Sequence, residues 1–208
     1  MKILIADDHA VVRQGIKQIL ADEFTKSTFG EARTAQDALS KIWREKWDVV
    51  ILDITMPGRS GLEVLKELKQ QRPKLPVLVL SMHPEDQFAV RVIRAGASGY
   101  MTKESAPEEL VGAIKKVLAG GKHISSSLAE IMAAHLDVDT RLPAHESLSN
   151  REFQVLRLIA SGKTVSQIAK EISLSVRTVS TYRTRILEKM AMKSNAELTH
   201  YAFQHQLV

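Results

Sequence analysis

Asp53 follows the run Val49-Val50-Ile51-Leu52, Asp7 and Asp8 follow Ile3-Leu4-Ile5-Ala6, Ser81 follows Val77-Leu78-Val79-Leu80, and Lys103 follows Gly99-Tyr100-Met101-Thr102. Carboxylates held close together repel one another, and a hard divalent cation is the simplest remedy. Magnesium fits best, because it takes carboxylate and carbonyl oxygens, keeps waters, and is commonly completed by phosphate oxygens. A pocket of this kind suits phosphoryl transfer onto a carboxylate. Asp53 is then the nucleophile, and Asp8, with Asp7 through water, holds the metal. Ser81 and Lys103 would share the charge of the three oxygens on the transferred group. Taken singly, each residue has an ordinary structural reading as a helix cap, a strand-end hydroxyl or a loop lysine, and His9 and His83 read as bland. The specific signal is their joint occurrence at strand ends.

For these groups to meet, the apolar runs must be strands of one parallel sheet, since in a doubly wound α/β domain the strand exits open on one edge. Residues 1–119 carry the required alternation: strands over 3–6, 27–31, 49–52, 77–80 and 99–101, and helices over 10–20, 35–43, 62–71, 87–95 and 107–118. Such alternation predicts a sheet covered on both faces. Pro57-Gly58 and Gly61 open the third helix, Pro73 and Pro76 precede the fourth strand, and Gly96 and Gly99 bracket the entry to the fifth. Pro107 stands in a first helical turn behind Ser105. Gly120-Gly121 closes this domain, so the expected boundaries are 1–120, a linker over 121–147 with a short helix near 125–136, and a second domain over 148–208.

Composition bounds the function class. Apolar content of 44% and charged content of 25% are those of a globular protein, and 208 residues allow one large domain or two smaller ones, of which two is the reading here. With no cysteine, disulfides, thiolate metal sites and cysteine nucleophiles are excluded. The four apolar residues before Asp7 are too few for a signal peptide core and no run reaches membrane-spanning length, so a cytoplasmic location is expected. The net charge of +5 is localised: residues 148–208 hold nine Lys or Arg against four Glu, and the rest of the chain carries 20 of each sign. That is the electrostatic footprint of a nucleic-acid-binding unit.

The same region reads as all helix. Ser149 and Glu152 form a capping-box pattern, Gly162 ends the first helix, 165–172 is a second, and Ser173-Leu174-Ser175 turns the chain into a third over 176–190, a helix-turn-helix. On a helical wheel Val179, Tyr182, Ile186 and Met190 face inward with Leu187 at the margin. Arg177, Ser180, Thr181, Thr184, Arg185 and Glu188 face the other way, the chemistry of a helix that enters a major groove. Lys189 is expected to contact phosphate. In the last helix Leu198, Tyr201, Ala202 and His205 share a face that is a candidate dimer contact, with packing inside the domain as the alternative.

Through Asp7-Asp8, Asp53, Ser81, Tyr100 and Lys103, residues 1–119 resemble a bacterial receiver domain, on its acidic pair, phosphoacceptor, switch hydroxyl, switch aromatic and invariant lysine. The resemblance implies a flavodoxin-like sheet in the order 2-1-3-4-5, magnesium bound partly through the backbone carbonyl of Thr55, and phosphate taken from a sensor histidine kinase. Residues 148–208 are similar to the LuxR-type DNA-binding domain through Leu148-Ser149-Asn150-Arg151-Glu152, Ala160-Ser161-Gly162, Ile168-Ala169, Ser175 and Thr178-Val179. Where many relatives carry Lys-Xaa-His this chain has Ser180-Thr181-Tyr182, and Arg183 replaces a commonly apolar residue. Both halves together resemble a NarL/FixJ-type response regulator. That implies double-stranded DNA, a second copy of the chain and RNA polymerase as partners, no membrane, and no enzymatic turnover beyond self-phosphorylation. Two other readings stay open. A magnesium-dependent phosphotransferase or phosphatase for a small molecule is opposed by the short loops near the pocket, and a receiver acting by protein contacts alone is opposed by the basic recognition helix.

Overall fold

The computed structural model describes residues 1–56, 61–82, 85–134, 143–205 and 207–208, and divides the chain into two units, Met1–Val138 and Asp139–Val208. Pro57, Gly58, His83 and the central part of the expected linker lie outside the described residues.

In the first unit strands and helices alternate: β1 (Lys2–Ala6), α1 (Ala10–Glu23), β2 (Thr28–Ala32), α2 (Ala35–Arg44), β3 (Val49–Asp53), α3 (Gly61–Gln71), β4 (Val77–Ser81), α4 (Glu85–Arg94), β5 (Gly99–Thr102) and α5 (Ala106–Leu118). The sheet is parallel in the order β2-β1-β3-β4-β5. All five residues of β3 and all five of β4 are buried, which is why these strands are apolar runs without polar alternation. Side chains alternate across the sheet: Ile5, Ile51, Leu78, Leu80 and Met101 pack with Ile16 and Leu20 of α1 and Leu110, Ile114 and Val117 of α5. Their neighbours Leu4, Val50, Leu52 and Val79 are buried as well, so the opposite face is also covered, and α2, α3 and α4 supply the buried Leu39, Ile42, Leu65, Leu68, Phe88 and Val92. The register sets Ala6 beside Leu52, Asp53 beside Leu80 and Ser81 beside Thr102, so the polar strand ends emerge on one edge.

Beyond α5 the chain stays on this unit. The His123 N–H donates to the Ser98 carbonyl at 2.9 Å and its carbonyl accepts from the Tyr100 N–H at 3.2 Å. A Cβ on Gly99 would lie 2.8 Å from the His123 carbonyl oxygen, so glycine is what admits this close approach. A further helix, α6 (Ser126–Ala134), packs against α4, with Leu128 fully buried. The start of the expected linker is thus built onto the first unit, and its far end, the short helical turn Ala144–Ser147, belongs to the second, where the His145 N–H and ring meet the Tyr201 hydroxyl.

The second unit contains α7 (Asn150–Ala160), α8 (Val165–Glu171), α9 (Val176–Lys189) and α10 (Asn195–Gln204), with α7 packed on α9 and α10, and α8 on α9. Each helix opens on a hydroxyl cap. Ser149 forms the expected capping box with Glu152, Thr164 forms a second with Gln167, and Ser175 and Ser194 accept from the N–H groups of Thr178 and Glu197. Caps of this kind contribute about 1 kcal/mol each. Gly162, at φ 81°, ends α7 with the left-handed residue that glycine adopts without cost.

Candidate functional site

At the exits of β1 and β3 the chain brings Asp7 and Asp53 together, each 1% exposed, with the more open Asp8 beside them. Lys103, following β5, reaches across the same edge, with Nζ 2.6 Å from Asp7 Oδ2 and 2.8 Å from Asp53 Oδ2. Burial alone would lower the Lys103 pKa, but Asp53 and Asp7 outweigh it and hold the ammonium above its ordinary value. The two oxygens of Asp53 have different partners: Oδ2 takes Lys103, whereas Oδ1 accepts from the Thr55 N–H at 2.7 Å and the Thr55 hydroxyl at 2.6 Å. Ser81 is fully buried at the end of β4, and its carbonyl accepts from the Lys103 N–H at 2.8 Å. Tyr100 is likewise fully buried, so its ring already lies inside the unit.

Ligand atoms of Asp7, Asp8, His9 and Asp53 all lie within 4.8 Å of one another. One ammonium does not balance three carboxylates, and buried Asp7 Oδ2, although close to Lys103, makes no hydrogen bond of regular geometry. An oxygen-rich pocket with surplus negative charge fits a hard divalent cation.

Two residues at this site escaped the sequence reading. His9, taken as bland, places Nδ1 2.9 Å from Asp8 Oδ1 and 3.2 Å from Asp7 Oδ1. Arg13, 2% exposed, donates Nη1 to the Asp7 carbonyl at 2.8 Å and Nε to Glu31 Oε2 at 3.1 Å. It thereby ties the loop carrying Asp7 to α1 and β2, and its bond to Glu31 holds that carboxyl below its usual range. The signal was present in the sequence: Arg13 stands one helical turn from Ile16 on the buried face of α1, where a cation needs a partner.

In the second unit Arg177, Ser180, Thr181, Thr184 and Arg185 are exposed on α9, and neither guanidinium is engaged by another described residue. Tyr182, expected to face inward, is half-buried and lines a shallow polar concavity with Ser175, Arg177, Thr178, Thr181 and Arg185. Lys189, expected to contact phosphate, places its ammonium 2.6 Å from Glu152 Oε2 and so ties α9 to the capping box of α7, with its side chain still 41% exposed. Burial would raise the Glu152 carboxyl, but Lys189 and the Ser149 amide outweigh it and hold it below the usual range. The stability this contributes is present above pH 4.5, the ordinary value, and is lost as pH falls through the lowered one. Glu152→Gln should therefore cost about 1 kcal/mol at neutral pH, the scale of a charged hydrogen bond to a part-exposed ammonium, because Gln keeps the capping box, and little in acid. Urea unfolding at the two pH values checks this, and an equal cost at both would rule out the ionic account.

The dimer candidates on α10 also need correction. Leu198 and Ala202 are fully buried within the unit, the Tyr201 hydroxyl accepts from the His145 N–H, and the Tyr201 ring lies 4.2 Å from that of His205, which also meets His145. Leu198 and Ala202 thus pack inside the unit, while Tyr201 is half-buried against His145 and His205 stays exposed. The exposed face of α10 carries Ala196, His200 and Phe203, the last 64% exposed.

Both units match known families. Residues 3–115 match the response regulator receiver domain, and residues 146–202 match the luxR family of bacterial regulatory proteins. Over its whole length the chain is 36% identical to the response regulator UvrY of Escherichia coli strain K12, covering 95% of that protein, and 39% identical to the response regulator GacA of Pseudomonas aeruginosa, covering 98%. Among solved structures it resembles the RcsB–DNA complex (TM-score 0.59, 26% identity, 100% of this chain and 98% of that one). It also resembles RcsB of Salmonella enterica serovar Typhimurium bound to promoter rprA in the presence of the phosphomimetic BeF3⁻ (TM-score 0.61, 28% identity, 97% of each chain).

Proposed function

This chain belongs to the NarL/FixJ response regulators of two-component systems, DNA-binding proteins with a receiver domain and a LuxR-type helix-turn-helix, and we propose that phosphorylation of Asp53 by a sensor histidine kinase controls its dimerisation and its sequence-specific binding to DNA. The observation that carries this reading is Asp53 itself, buried, held on one oxygen by Thr55 and on the other by Lys103, and set among Asp7 and Asp8. Thr55 fixes the carboxylate's orientation, leaving it poised as a nucleophile. The phosphorus–nitrogen bond to the kinase histidine breaks as a phosphorus–oxygen bond to Asp53 forms, and Lys103 takes up charge on the transferred oxygens. Magnesium, held by Asp7, Asp8, Asp53 and the Thr55 carbonyl, would supply the further positive charge that lets an anionic phosphoryl group approach three carboxylates. The chemistry ends on the chain's own aspartate, in the cytoplasm, with no second substrate turned over. Incubating the full chain with acetyl phosphate, with and without magnesium, and mapping the modified peptide tests the reading. Magnesium-dependent phosphate on Asp53 supports it, and phosphate on another residue or none at all overturns it.

Ser81 would follow the phosphoryl group, and the main-chain bond from Tyr100 to His123 offers the strain of that movement a direct way into α6 and the connection to the second unit. On DNA the active species is a dimer, because one small unit makes too few contacts for specific affinity and two units on half-sites about one helical turn apart multiply them. The exposed Ala196, His200 and Phe203 stripe of α10 is the dimer contact that suits this. Phe203→Glu should weaken binding to a two-half-site duplex by about a hundredfold, the lower end of the gain from linking two binding units, and leave single half-site binding unchanged. Equal effects on both duplexes, in gel-shift titrations, would remove α10 from the dimer contact.

A further inference from the structure

The threonines of the recognition helix have their hydroxyls turned inward on the helix. Thr181 Oγ1 donates to the Arg177 carbonyl at 3.0 Å and Thr184 Oγ1 to the Ser180 carbonyl at 3.2 Å, although both residues are exposed. Thr178 and Ser175 share a hydroxyl–hydroxyl bond at 2.7 Å, and Ser175 also accepts from the Thr178 N–H. A β-branched side chain has few staggered positions, and when the oxygen is bound to the preceding turn the Cγ2 methyl becomes the outward group. Positions 177, 181, 184 and 185 share one face of α9, so on this face two unengaged guanidinium forks flank two methyls.

We propose that Thr181 and Thr184 read thymine through its C5-methyl, making the recognition helix a methyl reader at its centre rather than a hydroxyl donor. This deepens the reading above and rests on α9 entering the major groove. In that groove thymine alone presents a methyl group, and an apolar contact from a threonine methyl is a recognised way to read it. The hydroxyl oxygens, with their hydrogens already held by the helix, offer only lone pairs, whereas the methyls need no partner and give up nothing on leaving water. Ser180-Thr181-Tyr182 carries no cation, so this stretch of the helix is suited to apolar rather than charged contacts.

The test uses the full-length chain treated with acetyl phosphate and magnesium to select binders from a randomised duplex pool. The enriched duplex is resynthesised with each thymine singly replaced by deoxyuridine, which removes only the C5-methyl. At one or two positions per half-site the replacement should weaken binding about fourfold, the equivalent of one methyl returned to water. Thr181→Ser or Thr184→Ser should bring the same loss on the thymine duplex and no further loss on the deoxyuridine duplex, while Thr181→Val and Thr184→Val bind like the parent chain. Indifference to deoxyuridine at every position would overturn the proposal. So would a deoxyuridine effect that persists undiminished in both serine variants, or serine variants that bind like the parent chain beside weakened valine ones, which would assign the readout to the oxygens. Enrichment of no sequence, with binding unchanged by Arg177→Ala and Arg185→Ala, would remove the DNA-reading role of α9 and the proposal with it.

Discussion

Asp53→Asn is expected to abolish magnesium-dependent phosphorylation of the full chain, by more than about a hundredfold, because the amide is no nucleophile and carries no charge for a cation. The substitution is close to isosteric, and its carbonyl oxygen can still accept from the Thr55 N–H and hydroxyl, which now meet Oδ1 at 2.7 and 2.6 Å. The fold should therefore survive, and Lys103 keeps its contact with Asp7. Intact-mass analysis after acetyl phosphate treatment, paired with a thermal melt, checks both parts. Phosphate incorporation in the variant equal to that of the parent chain would show that another residue is the acceptor.

The second large effect belongs to Lys103→Met. Lys103 is 6% exposed and bridges Asp7 and Asp53, so removing the ammonium leaves two buried carboxylates facing each other with Asp8 nearby. Breaking a buried ion pair by deleting one partner typically costs about 3–5 kcal/mol, a large fraction of the roughly 5–15 kcal/mol that holds a domain folded. The loss should be largest near neutral pH in metal-free buffer. It should shrink in acid, where a carboxyl can neutralise, and on adding magnesium, which replaces the missing charge. In the parent chain the raised Lys103 pKa gives stability fully present below the ordinary value of 10.5 and lost only as pH rises through the raised one. Urea titrations with and without magnesium, in acid and at neutral pH, separate the cases. A loss independent of pH and of magnesium would reduce Lys103 to a packing residue.

The sheet and its edge were legible because their cause is local. A strand buried on both faces must be an apolar run, and β1, β3 and β4 are such runs, so Asp7, one residue past β1, and Asp53, the last residue of β3, stand out at the exits. What the sequence hid depends on partners far along the chain. A count of cations includes Lys189, but its partner Glu152 lies 37 residues away, and the pairing appears only once α7 packs on α9. A helical wheel puts Leu198, Tyr201, Ala202 and His205 on one face of α10, yet the same pattern serves a face buried in its own unit or against a second copy. Here the turn at His145 fills that face. The segment after α5 read as linker because it is short of apolar runs. Its attachment begins on the main chain, through His123 on the edge of β5, which leaves little mark in side-chain pattern beyond the glycine at 99, and continues through the buried Leu128 of α6.

Phosphate on Asp53 in one unit should change DNA binding by the other, a coupling read by titrating the full-length chain onto its selected duplex with and without acetyl phosphate and magnesium, beside Asp53→Asn. The phosphorylated parent should bind more tightly and across two half-sites, the untreated parent more weakly, and the variant should not respond to acetyl phosphate. Equal affinity of the phosphorylated and unphosphorylated parent chain would contradict that coupling.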